Sequence, residues 1–101
     1  MMPEKRTAHT RLFIVKEMVR AGKAKATLTS YNGALALGFT TRQEMFDVVL
    51  ALNTADFHKS MTAYHDHTCW HDVYRPSYNG QQIYLKLIVK DDVLIVSFKE
   101  Q

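Results

Sequence analysis

At 101 residues, 47% hydrophobic and with a formal net charge of +3, the chain has the size of one compact unit with a single core, so 1–101 is read as one domain. No apolar run approaches the roughly 18 to 20 residues that a membrane-spanning helix needs. The start lacks the apolar stretch of a secretory leader, and the lone Cys69 excludes an internal disulfide framework; a cytoplasmic protein is expected. The basic excess is mild but uneven. Residues 1–30 carry seven Lys/Arg (Lys5, Arg6, Arg11, Lys16, Arg20, Lys23, Lys25) against Glu4 and Glu17, a distribution that suits either a polyanion partner or an ordinary solvated helix face.

The first helix is expected over 10–21, with Leu12, Val15, Met18 and Val19 on one stripe and Gly22 placed to end it. A short strand at 23–28 and a brief helix between 29 and 37, closed by Gly38, follow. Thr41-Arg42-Gln43-Glu44 has capping-box spacing ahead of Met45, Val48, Val49 and Leu52, which predicts a second strong helix over 42–52. Beyond Asp56 the sequence turns β-branched and aromatic, with turn signals at 65–68, 76–80 and 91–92. Four antiparallel strands are expected near 58–64, 69–75, 81–90 and 93–100. Helices first and strands later make an α+β domain, its helices packed on one face of a twisted antiparallel sheet.

The last hairpin can be registered from its turn. Whether two residues (Asp91-Asp92) or four form it, Leu85, Leu87 and Val89 oppose Phe98, Val96 and Leu94 as an unbroken apolar surface. The other face then pairs Tyr84 with Lys99, Lys86 with Ser97 and Ile88 with Ile95. A one-residue slip spoils the apolar match, so burial favours this pairing.

Histidine is concentrated in His65-Asp66-His67-Thr68-Cys69-Trp70-His71, with His58 nearby. A metal site on this run is hard to build, because alternate strand positions lie roughly 6 to 7 Å apart and His65 would lie about 20 Å from His71 in an extended chain. A turn at 65–68 relaxes that objection, and a metal reading stays open. There is no phosphate loop, no G-x-S-x-G elbow and no clustered carboxylates for a two-metal nuclease. What remains is a polar sheet face bearing Lys59, His71, Arg75, Tyr84, Lys86 and Lys99. Attack of a ribose 2′-hydroxyl on its neighbouring phosphate needs a base, an acid for the leaving 5′-oxygen and cations for the developing charge, and this set supplies each type. His71, with an unperturbed pKa of about 6.5, is the natural proton carrier; a surface histidine making ordinary hydrogen bonds is the plain alternative. Tyr84 and Lys99 equally make a common cross-strand pair. Phe57, Tyr64, Trp70 and Tyr74 are candidates for stacking on bases, although Trp70 is expected in the core.

Several blocks resemble the MqsR family of toxins: Glu4-Lys5-Arg6-Thr7 and His9-Thr10-Arg11-Leu12, Asp56-Phe57 with Lys59-Ser60-Met61-Thr62, Asp66-His67-Thr68, Trp70, Asp72-Val73-Tyr74-Arg75-Pro76, Tyr84-Leu85-Lys86, and Asp92 through Glu100. The likeness spans nearly the whole chain and is weakest over 23–52. It implies a RelE-like ribonuclease toxin fold, cleavage of single-stranded mRNA at GCU-type sites without ribosome, metal or cofactor, and inhibition by a zinc-binding, helix-turn-helix antitoxin resembling MqsA. It also implies catalytic positions at Lys59, Tyr84 and Lys99, with His71 in the remaining key position and Met61 and Arg75 close by; Lys86, on the same polar face, is read with Met61 and Arg75 as an RNA contact. His71 departs from the best-known member of the family, which has glutamine there: histidine can exchange a proton near neutrality and glutamine cannot. A non-catalytic RNA-binding module is the competing reading.

Overall fold

Glycine and a capping box set the helix ends in the computed structural model, which describes residues 3–63 and 65–101. Helix α1 (Leu12–Arg20) buries Val15 and Val19, and Leu12 and Met18 pack beside them, the expected 3–4 spacing of an amphipathic stripe. It stops at Gly22, whose φ of 80° a side chain would resist. There the Gly22 N–H donates to the Val19 carbonyl and the Lys23 N–H to the Met18 carbonyl, at 3.0 and 2.9 Å, satisfying carbonyls the helix leaves free. Helix α2 (Leu28–Ala36) is capped by Thr27. Helix α3 (Arg42–Ala51) has its full capping box: Thr41 accepts from the Glu44 N–H and Glu44 accepts from the Thr41 N–H.

Among the described residues the strands are β1 (Glu4–Lys5), β2 (Ala24–Ala26), β3 (Phe57–Ala63), β4 (Asp66–Tyr74), β5 (Ser77–Tyr78), β6 (Gln81–Val89) and β7 (Val93–Glu100). The sheet runs β1-β3-β4-β6-β7-β2, with β5 hairpinned onto β6 through Asn79-Gly80. All neighbours are antiparallel except β2, which adds to β7 in parallel. The fold is α+β as expected, with a mixed edge that the pattern did not anticipate. The four predicted strands appear within a few residues of their places, but β4 begins at Asp66, inside the span read as a turn. Tyr64, at the end of the strand expected over 58–64 and a stacking candidate, lies outside the described residues.

The three helices cover one face. Their core joins Val15, Ala34, Met45, Val48, Val49 and Leu52 to Ile83, Leu85, Leu87, Val93, Ile95 and Phe98 from the sheet, and each of these side chains larger than alanine contributes about 1.5–3 kcal/mol when fully buried. Helix α2 comes so close to β7 that a Cβ on Gly33 would sit 2.0 Å from the Phe98 carbonyl oxygen. Only glycine fits that approach.

One half of the last hairpin keeps the predicted register and the other does not. Tyr84 faces Lys99, Leu85 faces Phe98 and Lys86 faces Ser97, as expected; Leu87 then faces Ile95 and Val89 faces Val93. Val96 is the extra residue of a β-bulge, and the turn holds three residues, Lys90 to Asp92, with the Lys90 N–H donating to the Asp92 carbonyl. The inward side chains are therefore Val93 and Ile95 instead of the expected Leu94 and Val96. The physical reason is β2, whose pairing of Ala24 with Val93 and Ala26 with Ile95 fixes the start of β7. The bulge then restores the alternation that turns Phe98 inward. Two branched aliphatics are buried either way, so hydropathy alone could not choose.

Trp70 is not part of the central core. It is only partly buried, stacks on His9 with ring centroids 5.7 Å apart, and carries the Lys5 ammonium 4.1 Å from its ring centroid. This N-terminal segment, and not a helix, covers the middle of β4. Its anchor is Asp72, 2% exposed, whose carboxylate accepts from the backbone N–H groups of His9 and Thr10 at 2.9 and 3.1 Å.

Candidate active site

Strand alternation decides what reaches the uncovered face. Register across β3, β4, β6 and β7 sets Lys59 beside Val73, Val73 beside Lys86 and Lys86 beside Ser97 in one row. The next row toward the C-terminal edge holds Tyr84 and Lys99, and the row on the other side holds Met61 and His71. Arg75 follows β4 directly, and the same register extended by one residue brings it beside Tyr84. All seven residues singled out from the sequence thus share one face, opposite the helices. The expectation that Tyr84 and Lys99 meet is met in detail, with the ammonium 5.2 Å from the phenol ring centroid.

The electrostatics follow from this crowding. Lys86 sits at the centre: partial burial first, then the charges of Lys99 and Lys59, lower its pKa below the ordinary lysine value. His71 is also lowered, mainly by burial and then by Lys86, against a smaller opposing pull from Asp72. Its neutral imidazole is therefore favoured at pH 7, the form that can accept a proton. His58, at the irregularity early in β3, is lowered by burial and by Arg75, Lys59 and Arg6. Val73 is fully buried although its side chain belongs to the open face; the lysine stems flanking it in the same row are long enough to cover it.

The sequence marks Lys86 only as an RNA contact on the polar face, whereas in the fold it is the partly buried lysine on which the charges of Lys99 and Lys59 both act. Glu4 is missed as well: its carboxylate lies 2.6 Å from the Lys59 ammonium. A two-residue strand has no periodicity to betray it. The stacking candidates fare differently. Tyr74 is buried and meets Phe57 edge-on at 5.4 Å, with its hydroxyl pKa raised by burial, so it serves packing. Among the described residues no three His, Cys, Asp or Glu side chains converge as a metal-ligand set; Asp66 instead accepts from the backbone and hydroxyl of Thr68.

Chemically, the face offers a neutral imidazole, a phenol and at least three ammonium groups within one patch of sheet, an arrangement that can hold a phosphodiester and move a proton beside it. Among the described residues no helix is long and apolar enough to cross a membrane. Comparison with known proteins agrees in chain length and in content. Residues 7–100 match the family model described as motility quorum-sensing regulator, toxin of MqsA. The chain is 51% identical over 98 residues to the mRNA interferase toxin MqsR of Escherichia coli strain K12, an alignment covering 97% of this chain and 99% of that protein. A family match over nearly the whole chain, together with identity at this level, places the protein in the MqsR family of toxins.

Proposed function

We propose that this toxin is an endoribonuclease, an mRNA interferase that cuts single-stranded mRNA at GCU-type sites in the cytoplasm, without a metal and without the ribosome. Its partner in this reading is a zinc-binding, helix-turn-helix antitoxin like MqsA. The observation that carries the reading is the convergence of Lys59, His71, Tyr84, Lys86 and Lys99 on the open sheet face.

The chemistry assigned to the face is a transesterification. Neutral His71 takes the proton from the ribose 2′-hydroxyl, the 2′-oxygen bonds to phosphorus, and the bond from phosphorus to the 5′-oxygen breaks. Lys59, Lys99 and Arg75 stabilise the charge on the phosphorane. Tyr84 orients the phosphate and protonates the departing 5′-oxygen, while Met61 and Lys86 hold the strand. The products are a 2′,3′-cyclic phosphate and a 5′-hydroxyl. Incubating the purified protein with a GCU-containing single-stranded RNA, with and without EDTA, tests this directly. Equal site-specific cleavage in both tubes supports the proposal. Binding without cleavage overturns it in favour of an RNA-binding module, and cleavage lost with EDTA overturns the metal-independent mechanism.

A further inference from the structure

Glu4 sits where a substrate phosphate is expected. Strand β1 pairs Glu4 with Met61 and Lys5 with Ser60, so alternation sends Glu4 to the open face and Lys5 to the helix face, over Trp70. The segment is held from several points. Thr62 N–H donates to the Pro3 carbonyl, the Lys5 ammonium lies 3.0 Å from the His9 ring, and Asp72 grips the His9 and Thr10 backbone. The carboxylate of Glu4 is thereby kept at the Lys59 ammonium, 2.6 Å away, with the lysine side chain only 25% exposed. Among the described residues this is the one ion pair that engages the cationic cluster. The hydrogen bond from Lys59, and then its charge, hold the Glu4 carboxyl below the usual range, so it is ionised at neutral pH.

We propose that Glu4 is a built-in competitor for the phosphodiester of RNA at Lys59. The inference rests on the reading of the open face as an RNA site. Both anions seek the same ammonium, and a phosphate arriving there must displace the carboxylate and then tolerate it nearby, because the backbone of β1 stays anchored. A solvent-accessible pair of this kind, with the carboxylate half exposed, adds little to folding. Its consequence is for substrate affinity.

The test is the binding of a fluorescein-labelled, GCU-containing single-stranded RNA, protected from cleavage by 2′-O-methyl groups, to the wild-type toxin and to Glu4→Gln, Lys59→Ala and the double variant. Glutamine keeps an oxygen that accepts from Lys59 and removes only the charge. Glu4→Gln is expected to bind about two- to fivefold more tightly, with a log–log salt dependence steeper by about 0.7, one further phosphate contact on a single strand. The gain should vanish in the Lys59→Ala background. Unchanged or weaker binding by Glu4→Gln overturns the proposal, as does an equal gain when Lys59 is absent, which would mark a diffuse charge effect. Should Lys59→Ala bind as well as wild type, the phosphate site at Lys59 is itself overturned, a failure distinct from that of Glu4.

Discussion

The two faces of the same four strands differ in what they ask of their side chains. Leu85, Leu87, Ile95 and Phe98 point into the helices and are at most 1% exposed. Their neighbours one residue along, Tyr84, Lys86 and Lys99, stand on the open side, where like charges are tolerated close together. A single pleat thus separates what holds the protein together from the face proposed to act on RNA. The repulsion among Lys59, Lys86 and Lys99 is a cost to the fold that the opposite face offsets, and it is also a standing attraction for a polyanion.

Substitutions on the two faces should therefore fail in different assays. The largest effect is expected on the covered face: Leu87→Ala should lose about 2–5 kcal/mol of stability by denaturant unfolding. On the open face Lys99→Ala should lower kcat roughly 10²- to 10³-fold while leaving the melting temperature within a few degrees. A variant that loses both together would erase the distinction. His71→Gln should cost about 10²-fold in rate at pH 7 and remove the acidic limb of the pH–rate profile that its imidazole imposes. A profile unchanged by the substitution would take His71 out of proton transfer. Gly33→Ala should destabilise by about 1–3 kcal/mol, because α2 must back away from the Phe98 carbonyl. Smallest is Thr41→Ala, which removes one half of the α3 capping box and should cost about 0.5–2 kcal/mol.

Acid should also weaken the fold itself. The folded-state pKa values of His71 and His58 are both lowered, chiefly by burial, so between those values and the unperturbed value of about 6.5 the unfolded chain binds more protons. Their contribution is present above about 6.5 and is lost as pH falls through the folded-state values. Urea unfolding at stepped pH should show a smaller decline for His71→Gln than for wild type. Equal declines would mean that His71 is not the group responsible.

Much of this was legible in the chain because it is local. The stripe of Val15 and Val19, the Thr41 and Glu44 capping box and the C-terminal strand follow from spacings of a few residues, and each is where the pattern put it. The Tyr84 and Lys99 pairing came out as expected for a different reason: the three-residue turn shifts the register by one residue and the bulge at Val96 shifts it back. Errors began where a distant segment intervened. The β2 edge strand reset the first half of β7 and forced the bulge at Val96, and the N-terminal segment took Trp70 out of the expected core.

Sequence alone determined which residues are apolar at helical or strand period, and hence the elements, the packed side of β6 and the set of cations left outside. Only the tertiary structure decided the strand order and register that set Lys59 and His71 beside the last hairpin, that Lys86 lies at the centre, and that Glu4 reaches Lys59 from 55 residues away. The reason is physical. Periodicity records what each segment buries against its nearest layer, whereas the order of strands and the meeting of charges depend on contacts between segments that share no local pattern.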